Sequence, residues 1–270
     1  MKTLPQRIAA CFAVSLACAL PAKASTFSVD YTDLWYIPAE SGWGINLIQQ
    51  NNVIFATLFV YGTDNTPRWY VASDLEGSGS SFSGTLYRTT GPYFGVPWSG
   101  TSPATPVGNM TLVFTSPTQA TLSYTVDGVN VTKSVVRQSW RAENLTGKYL
   151  GGLIANGSSC NGVDNGPILI FGTGVNVTHS ASNAVSMTVN FNTSSGTAST
   201  CTFNGTYGQQ GKLGTITGNW SCTVGTSPFN SGTFTMSEVQ ATIRGFNARF
   251  TGSDQFCQYA GNFGVVRDIQ

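Results

Sequence analysis

The chain has 270 residues, with 13 basic side chains against 12 acidic ones, and charged residues make up only 9% of it. So sparse and balanced a charge argues against a nucleic-acid partner, which needs a clustered basic surface to displace counterions from phosphates. The surface must instead be Ser, Thr, Asn, Gln and Gly, a composition common in exported β proteins.

Lys2 and Arg7 precede a short apolar run, Ile8 to Leu20, and Ala22-Lys23-Ala24 offers a small-x-small cleavage site, so residues 1–24 are predicted to be a secretory signal. The run is too short to span a bilayer, and no transmembrane segment is expected after signal removal. A lipoprotein signal ending at Cys18 is disfavoured, because Ser15 stands where Leu is wanted. The mature chain would be 270 − 24 = 246 residues with 13 − 3 = 10 basic and 12 acidic side chains, a net charge near −2. Cys11 and Cys18 leave with the signal, and Cys160, Cys201, Cys222 and Cys257 remain. An even number of cysteines in an exported chain points to disulfides and to a secreted or periplasmic location. The C-x₂₋₄-C spacing of a zinc site is absent, and neither a metal nor a cofactor is expected.

No window shows a sustained helical period. Segments of about five to ten residues rich in Val, Thr, Phe and Tyr are separated by Gly, Asn, Asp and Pro, which predicts an all-β protein of antiparallel meanders or barrels. The first such region is the most distinctive. Trp35 is followed by Pro38-Ala39-Glu40-Ser41-Gly42-Trp43-Gly44-Ile45-Asn46. Then come Phe55-Ala56-Thr57-Leu58-Phe59-Val60-Tyr61 and Pro67-Arg68-Trp69-Tyr70-Val71. In these motifs the chain resembles a widespread group of uncharacterised secreted bacterial proteins. The resemblance covers about the first third and implies no particular activity. Asn51-Asn52 and Asp127-Gly128 are candidate type I′ hairpin turns, and Ser116-Pro117-Thr118-Gln119 is a further turn.

A Gly-x turn at Gly211-Lys212 would pair Gln210 with Leu213. That register sets Tyr207 opposite Ile216, Gly205 opposite Gly218, Phe203 opposite Trp220 and Cys201 opposite Cys222, all on one face. The other face carries Thr202, Asn204, Thr206, Thr217, Asn219 and Ser221. The sulfur-bearing pair falls within disulfide range, so Cys201–Cys222 is predicted and Cys160–Cys257 follows by exclusion. Disulfide-capable cysteines occur only after residue 159, whereas five of six Trp precede residue 141. This shift places a boundary near Trp140–Asn144, giving an aromatic-rich domain over 25–142 and a disulfide-stapled one over 143–270. The second opens on Leu145-Thr146-Gly147-Lys148-Tyr149, which resembles the opening strand of small up-and-down barrels such as avidin. A Phe-x-Gly-Thr phrase followed by Tyr recurs at Phe82–Tyr87 and Phe203–Tyr207. It marks either duplicated barrels or convergent strand chemistry.

The motifs of nucleophilic and cofactor chemistry are missing. There is no Gly-x-Ser-x-Gly elbow and no phosphate-binding glycine pattern. The single histidine, His179, reads as an exposed strand residue. Glycoside hydrolysis would need two carboxyls across a cleft, one kept protonated by apolar surroundings. Asp30, Asp33, Glu40, Asp64, Asp74 and Glu76 are the available groups. Glu40 is expected to be structural before catalytic, accepting backbone N–H bonds in the turn of Gly42 and Gly44 and pairing with Arg68. The aromatics from Trp35 to Tyr87, with Tyr93, Phe94 and Trp98, exceed what burial alone would need, so some are expected to line a ligand cleft. The expected function is that of a non-enzymatic binding protein. Trp35, Trp43, Trp69 and Tyr70, with Glu40 and Arg68, would form a site for a glycan or a small apolar ligand. A carboxylate-dependent glycan hydrolase and a structural or adhesive surface protein are the alternatives.

Overall fold

The structure, a computed structural model, describes residues 29–98, 100 and 103–268, so the predicted signal lies outside the described residues. The described chain is all-β: sixteen strands form two closed antiparallel barrels of eight strands each. The first holds β1 (Asp33–Tyr36), β2 (Gly44–Gln50), β3 (Val53–Tyr61), β4 (Pro67–Ser78), β5 (Ser81–Thr89), β6 (Ala104–Ser116), β7 (Gln119–Val126) and β8 (Val129–Arg137). The second holds β9 (Gly147–Ser158), β10 (Gly166–His179), β11 (Ala184–Asn192), β12 (Ala198–Gln210), β13 (Leu213–Val224), β14 (Ser227–Thr242), β15 (Gly245–Ser253) and β16 (Gln258–Arg267). Within each barrel every strand pairs with its neighbours in sequence, and the first strand closes on the last. Asp127 and Gly128 both take positive φ (48° and 84°), as a type I′ turn requires, whereas at the 51–52 turn the left-handed residue is Asn51 (φ 56°).

Alternation explains the cores. Inward positions such as Ile45, Leu47, Ile54, Ala56 and Leu58 are fully buried and fill the first barrel. Met187, Val189, Phe203, Ile216, Met236 and Phe263 fill the second as a separate cluster. Eight strands enclose a space just wide enough for such side chains or one small guest. An apolar interior is the reverse of the polar lumen of a membrane-spanning barrel, and none of the described segments is a helix long and apolar enough to cross a membrane.

The hairpin of β12 and β13 has the predicted register throughout, from Gln210↔Leu213 to Phe203↔Trp220 and Cys201↔Cys222. Cys201–Cys222 and Cys160–Cys257 are both bonded, with Cα atoms 4.1 and 4.2 Å apart. The second bridge ties the β9–β10 loop to the β15–β16 loop at one end of the barrel. Phe82 and Phe203 are both buried, yet they lie on the fifth strand of one barrel and the fourth of the other. The recurring Phe-x-Gly-Thr phrase is thus shared strand chemistry at non-equivalent positions.

The likeness between the barrels lies in how they close. Trp35 on β1 donates its indole N–H to the Tyr31 carbonyl (3.0 Å), and Arg137, its register partner on β8, sits 5.0 Å from the ring centroid. Tyr149 on β9 donates its hydroxyl to the Leu145 carbonyl (2.7 Å), and Arg267, its partner on β16, sits 5.2 Å from that ring. In both barrels an aromatic on the first strand is covered by a cation from the last.

At the closed end of the first barrel, Arg137 is buried and fully engaged. Its Nε donates to Pro117 O (2.6 Å), Nη2 to Asp30 O (2.6 Å), and Nη1 to Thr32 O (3.2 Å) and Asp33 Oδ2 (3.1 Å). The same Asp33 oxygen accepts the backbone N–H of Lys212 (2.8 Å) from the tip of the β12–β13 hairpin, and Lys212 Nζ pairs with Asp30. Gly211 precedes it at φ 62°, and a Cβ there would strike Asp33 Oδ2 and lie 2.8 Å from Arg137 Cβ. Only glycine fits. The connecting segment 138–146 is sewn to the same hairpin. Ser139 Oγ accepts Gly211 N (2.8 Å), and Gln209 bonds Arg141 O (3.0 Å) and Glu143 N (2.6 Å).

Candidate functional site

The six residues expected to share a ligand site do not share one. Trp35 is 0% exposed and belongs to the core, because β1 turns its ring inward under Arg137. Tyr70 and Trp69 are adjacent on β4 and therefore face opposite sides of the wall. Tyr70 is buried under Arg88, and Trp69 stands on the outer surface beside Phe59, its cross-strand partner. Arg68 pairs with Asp64 (2.8 Å) across the β3–β4 turn, away from Glu40. The structure does bring Glu40 and Trp43 together at the end of the barrel remote from Arg137. Trp43 Nε1 donates to Glu40 Oε2 (3.0 Å), and Lys133 Nζ reaches both carboxylate oxygens (2.9 Å) while lying 5.9 Å from the Trp43 ring centroid.

Glu40 therefore differs from expectation in its partners. Gly42 does adopt the left-handed region (φ 108°) that the turn needs, but the carboxylate bonds Trp43 and Lys133 rather than backbone N–H groups. The hydrogen bond from Lys133, then that from Trp43, holds its carboxyl below the usual carboxylate range. All these groups reach solvent, so Glu40→Ala is expected to leave the thermal melting of the first barrel almost unchanged while altering Trp43 fluorescence. A large drop in melting temperature would show a structural role that the contacts do not.

The other carboxylates with a resolved shift are likewise held low. Asp64 is lowered by hydrogen bonds from the Thr66 hydroxyl and backbone. At Asp30 and Asp254 burial pushes upward, but hydrogen bonds outweigh it: from Lys212 and Thr32 in one case, and from Tyr259, Cys257, Phe256 and Asn230 in the other. None of these four is the protonated acid that glycoside hydrolysis requires.

His179 is half-buried rather than exposed. Its Nδ1 accepts the Leu145 backbone N–H (3.4 Å), and its ring meets Tyr207 edge-on at 5.0 Å. Burial pushes the Tyr207 hydroxyl up to about 12. The histidine thus fastens the start of the second barrel to β10.

An apolar recess lies in the second barrel, at the disulfide-bearing end remote from the junction. It encloses about 100 Å³ among Leu153, Ala155, Ile168, Ile170, Phe203 and Trp220, with Cys222, Phe229, Phe250 and Tyr259 completing the wall. These come from strands across the whole barrel, and the inward alternation derived for β12 and β13 supplies Phe203 and Trp220. Its few polar groups are occupied elsewhere. Trp220 Nε1 donates to Thr233 O (3.2 Å), Tyr259 Oη donates to Asp254 (2.6 Å), and Asn230 Nδ2 also donates to Asp254. A wider groove of about 750 Å³ runs along the outer wall near Asp30, Glu238 and Arg249, but these charges are already paired, Asp30 with Lys212 and Glu238 with Arg249. Trp220, the one tryptophan in the second half, reads in the sequence only as an inward-facing partner of Phe203.

No protein-family model matches the chain, and no curated protein is significantly similar to it.

Proposed function

We propose that the protein is an exported, non-enzymatic binding protein whose second barrel takes a small apolar ligand. The observation that carries this reading is a recess lined almost wholly by carbon, whose polar atoms already have partners. A sugar entering it would leave its hydroxyls unpaired at a cost of about 1–3 kcal/mol each, so an apolar guest is favoured over a glycan. The volume is somewhat below the roughly 150 Å³ of apolar cavities that admit benzene. It suits a small ring or the end of a hydrocarbon chain, with the remainder in the open mouth. Export is supported by the two disulfides, which an oxidising compartment permits.

The test is titration with N-phenyl-1-naphthylamine, whose emission rises in apolar surroundings. Saturable binding is expected. Ile168→Asp, which sets a charge at the half-exposed rim, should weaken it by about tenfold or more. Ala155→Phe, which fills the floor, should do the same. Absence of binding, or equal binding by both variants, overturns the reading.

A further inference from the structure

Residues 90–98, which follow β5, lie at the end of the first barrel remote from the junction. Tyr93, Phe94, Val96 and Trp98 stand there at 66%, 91%, 50% and 65% exposure. Four large apolar side chains within six residues, left in water, are not accounted for by the fold, and exposed patches of this kind mark interaction sites. The Tyr93 and Phe94 rings lie 4.6 Å apart at 54°, forming one continuous apolar surface. Pro92 and Pro97 bracket the segment, and Val96 N donates to Tyr93 O (3.4 Å), so the backbone is shaped before any partner arrives.

The chemistry of the loop restricts that partner. From Thr89 to Val126 the chain contains no charged residue, and over residues 90–98 the polar groups are the Thr90 and Tyr93 hydroxyls and the Trp98 indole N–H, with Ser99, Thr101 and Ser102 following in sequence. A glycan-binding surface would add charged or amide side chains to bond the sugar hydroxyls, and residues 90–103 contain neither. The cations nearest this end are already neutralised: Arg88 by Asp127, Lys133 by Glu40 and Arg68 by Asp64. Trp69 and Tyr61, both exposed, add aromatic surface on the outer wall at the same end. Mixed Trp, Tyr and Phe on an uncharged, convex tip match the interfacial zone of a bilayer, where an aromatic ring sits among acyl chains with its polar edge at the headgroups.

We propose that this loop is a lipid-surface anchor, in which Tyr93, Phe94, Val96 and Trp98 enter the interfacial layer of a zwitterionic membrane. The anchor does not depend on the ligand recess, which lies in the other barrel. The experiment is co-sedimentation of the full mature chain with phosphatidylcholine vesicles at low and high salt. Binding is expected at both, with little change, because the described cations at this end, Arg68, Arg88 and Lys133, are each paired with a carboxylate. Phe94→Ser with Trp98→Ser should weaken partitioning by about a hundredfold, taking about tenfold per buried ring, with unchanged thermal melting since both side chains are in solvent. Ile168→Asp, at the recess, should bind vesicles as the unaltered protein does.

Four results would overturn the proposal. One is absence of sedimentation. Another is undiminished binding by the double variant. A third is binding confined to phosphatidylglycerol vesicles and lost in salt, and the fourth is loss of binding in Ile168→Asp, which would place the lipid in the recess. Capture by protein-containing membranes but not by pure lipid would assign the loop to a protein partner instead.

Discussion

Arg137→Ala is expected to destabilise the first barrel by about 3–5 kcal/mol, the range for removing one partner of a buried ion pair. The guanidinium is fully buried, and its removal strands the carbonyls of Asp30, Thr32 and Pro117 and leaves the Asp33 carboxylate with the backbone N–H groups of Lys212 and Leu34 but no countercharge. It also uncovers the Trp35 ring and leaves a void beside it. The first barrel is sensitive here because β1 and β8 share only two register pairs, Trp35↔Arg137 and Tyr36↔Val136, against ten between β9 and β16. Side-chain bonds stand in for the missing ladder. Arg137→Lys should recover little, since a point ammonium cannot reach four acceptors in a planar fork. Urea unfolding followed by tryptophan fluorescence reads this directly. A loss below about 1 kcal/mol, the scale of an exposed pair, would mean that barrel closure rests elsewhere.

Replacing Cys160 and Cys257 together by Ser should cost the second barrel about 2–4 kcal/mol. The bridge closes a loop of 97 residues, against 21 for Cys201–Cys222, so it restricts the unfolded chain more. The chain-entropy value for so long a loop is about 4.7 kcal/mol, and residual structure in the reduced unfolded chain brings the loss below it. The first barrel's unfolding should not move. If both barrels lost stability equally, the bridge would be acting through the junction, which lies at the other end.

The elements legible beforehand were those governed by local chemistry. The β12–β13 register followed from a Gly-x turn and a period of two, and both disulfides followed from that register. What stayed hidden depended on distant partners. Trp35 reads the same whether it faces a ligand or a core, and the deciding contact is with Arg137, a hundred residues away in the chain. Glu40 was expected to pair with Arg68 nearby, but barrel closure brings Lys133 over it, and Asp64 captures Arg68 within its own turn. The recess draws Leu153, Ile168, Phe203 and Trp220 from separate strands, each of which reads as ordinary core. Only the closed barrel shows that they leave space between them.

The seat formed by Asp30, Asp33 and Arg137 is complete in the first half of the chain, whereas the Gly211-Lys212 tip that fills it belongs to the second. During synthesis from the N-terminus the first barrel must close with Asp33 still lacking its partner from Lys212. The second then folds onto a surface already in place. The seat is therefore a vacancy of the nascent protein and a point of vulnerability. At high concentration during refolding, the tip of one molecule competes with the chain's own tip for that seat. The tight stitching of Ser139, Arg141 and Glu143 to the hairpin keeps plug and socket on the same chain by making the local encounter the faster one.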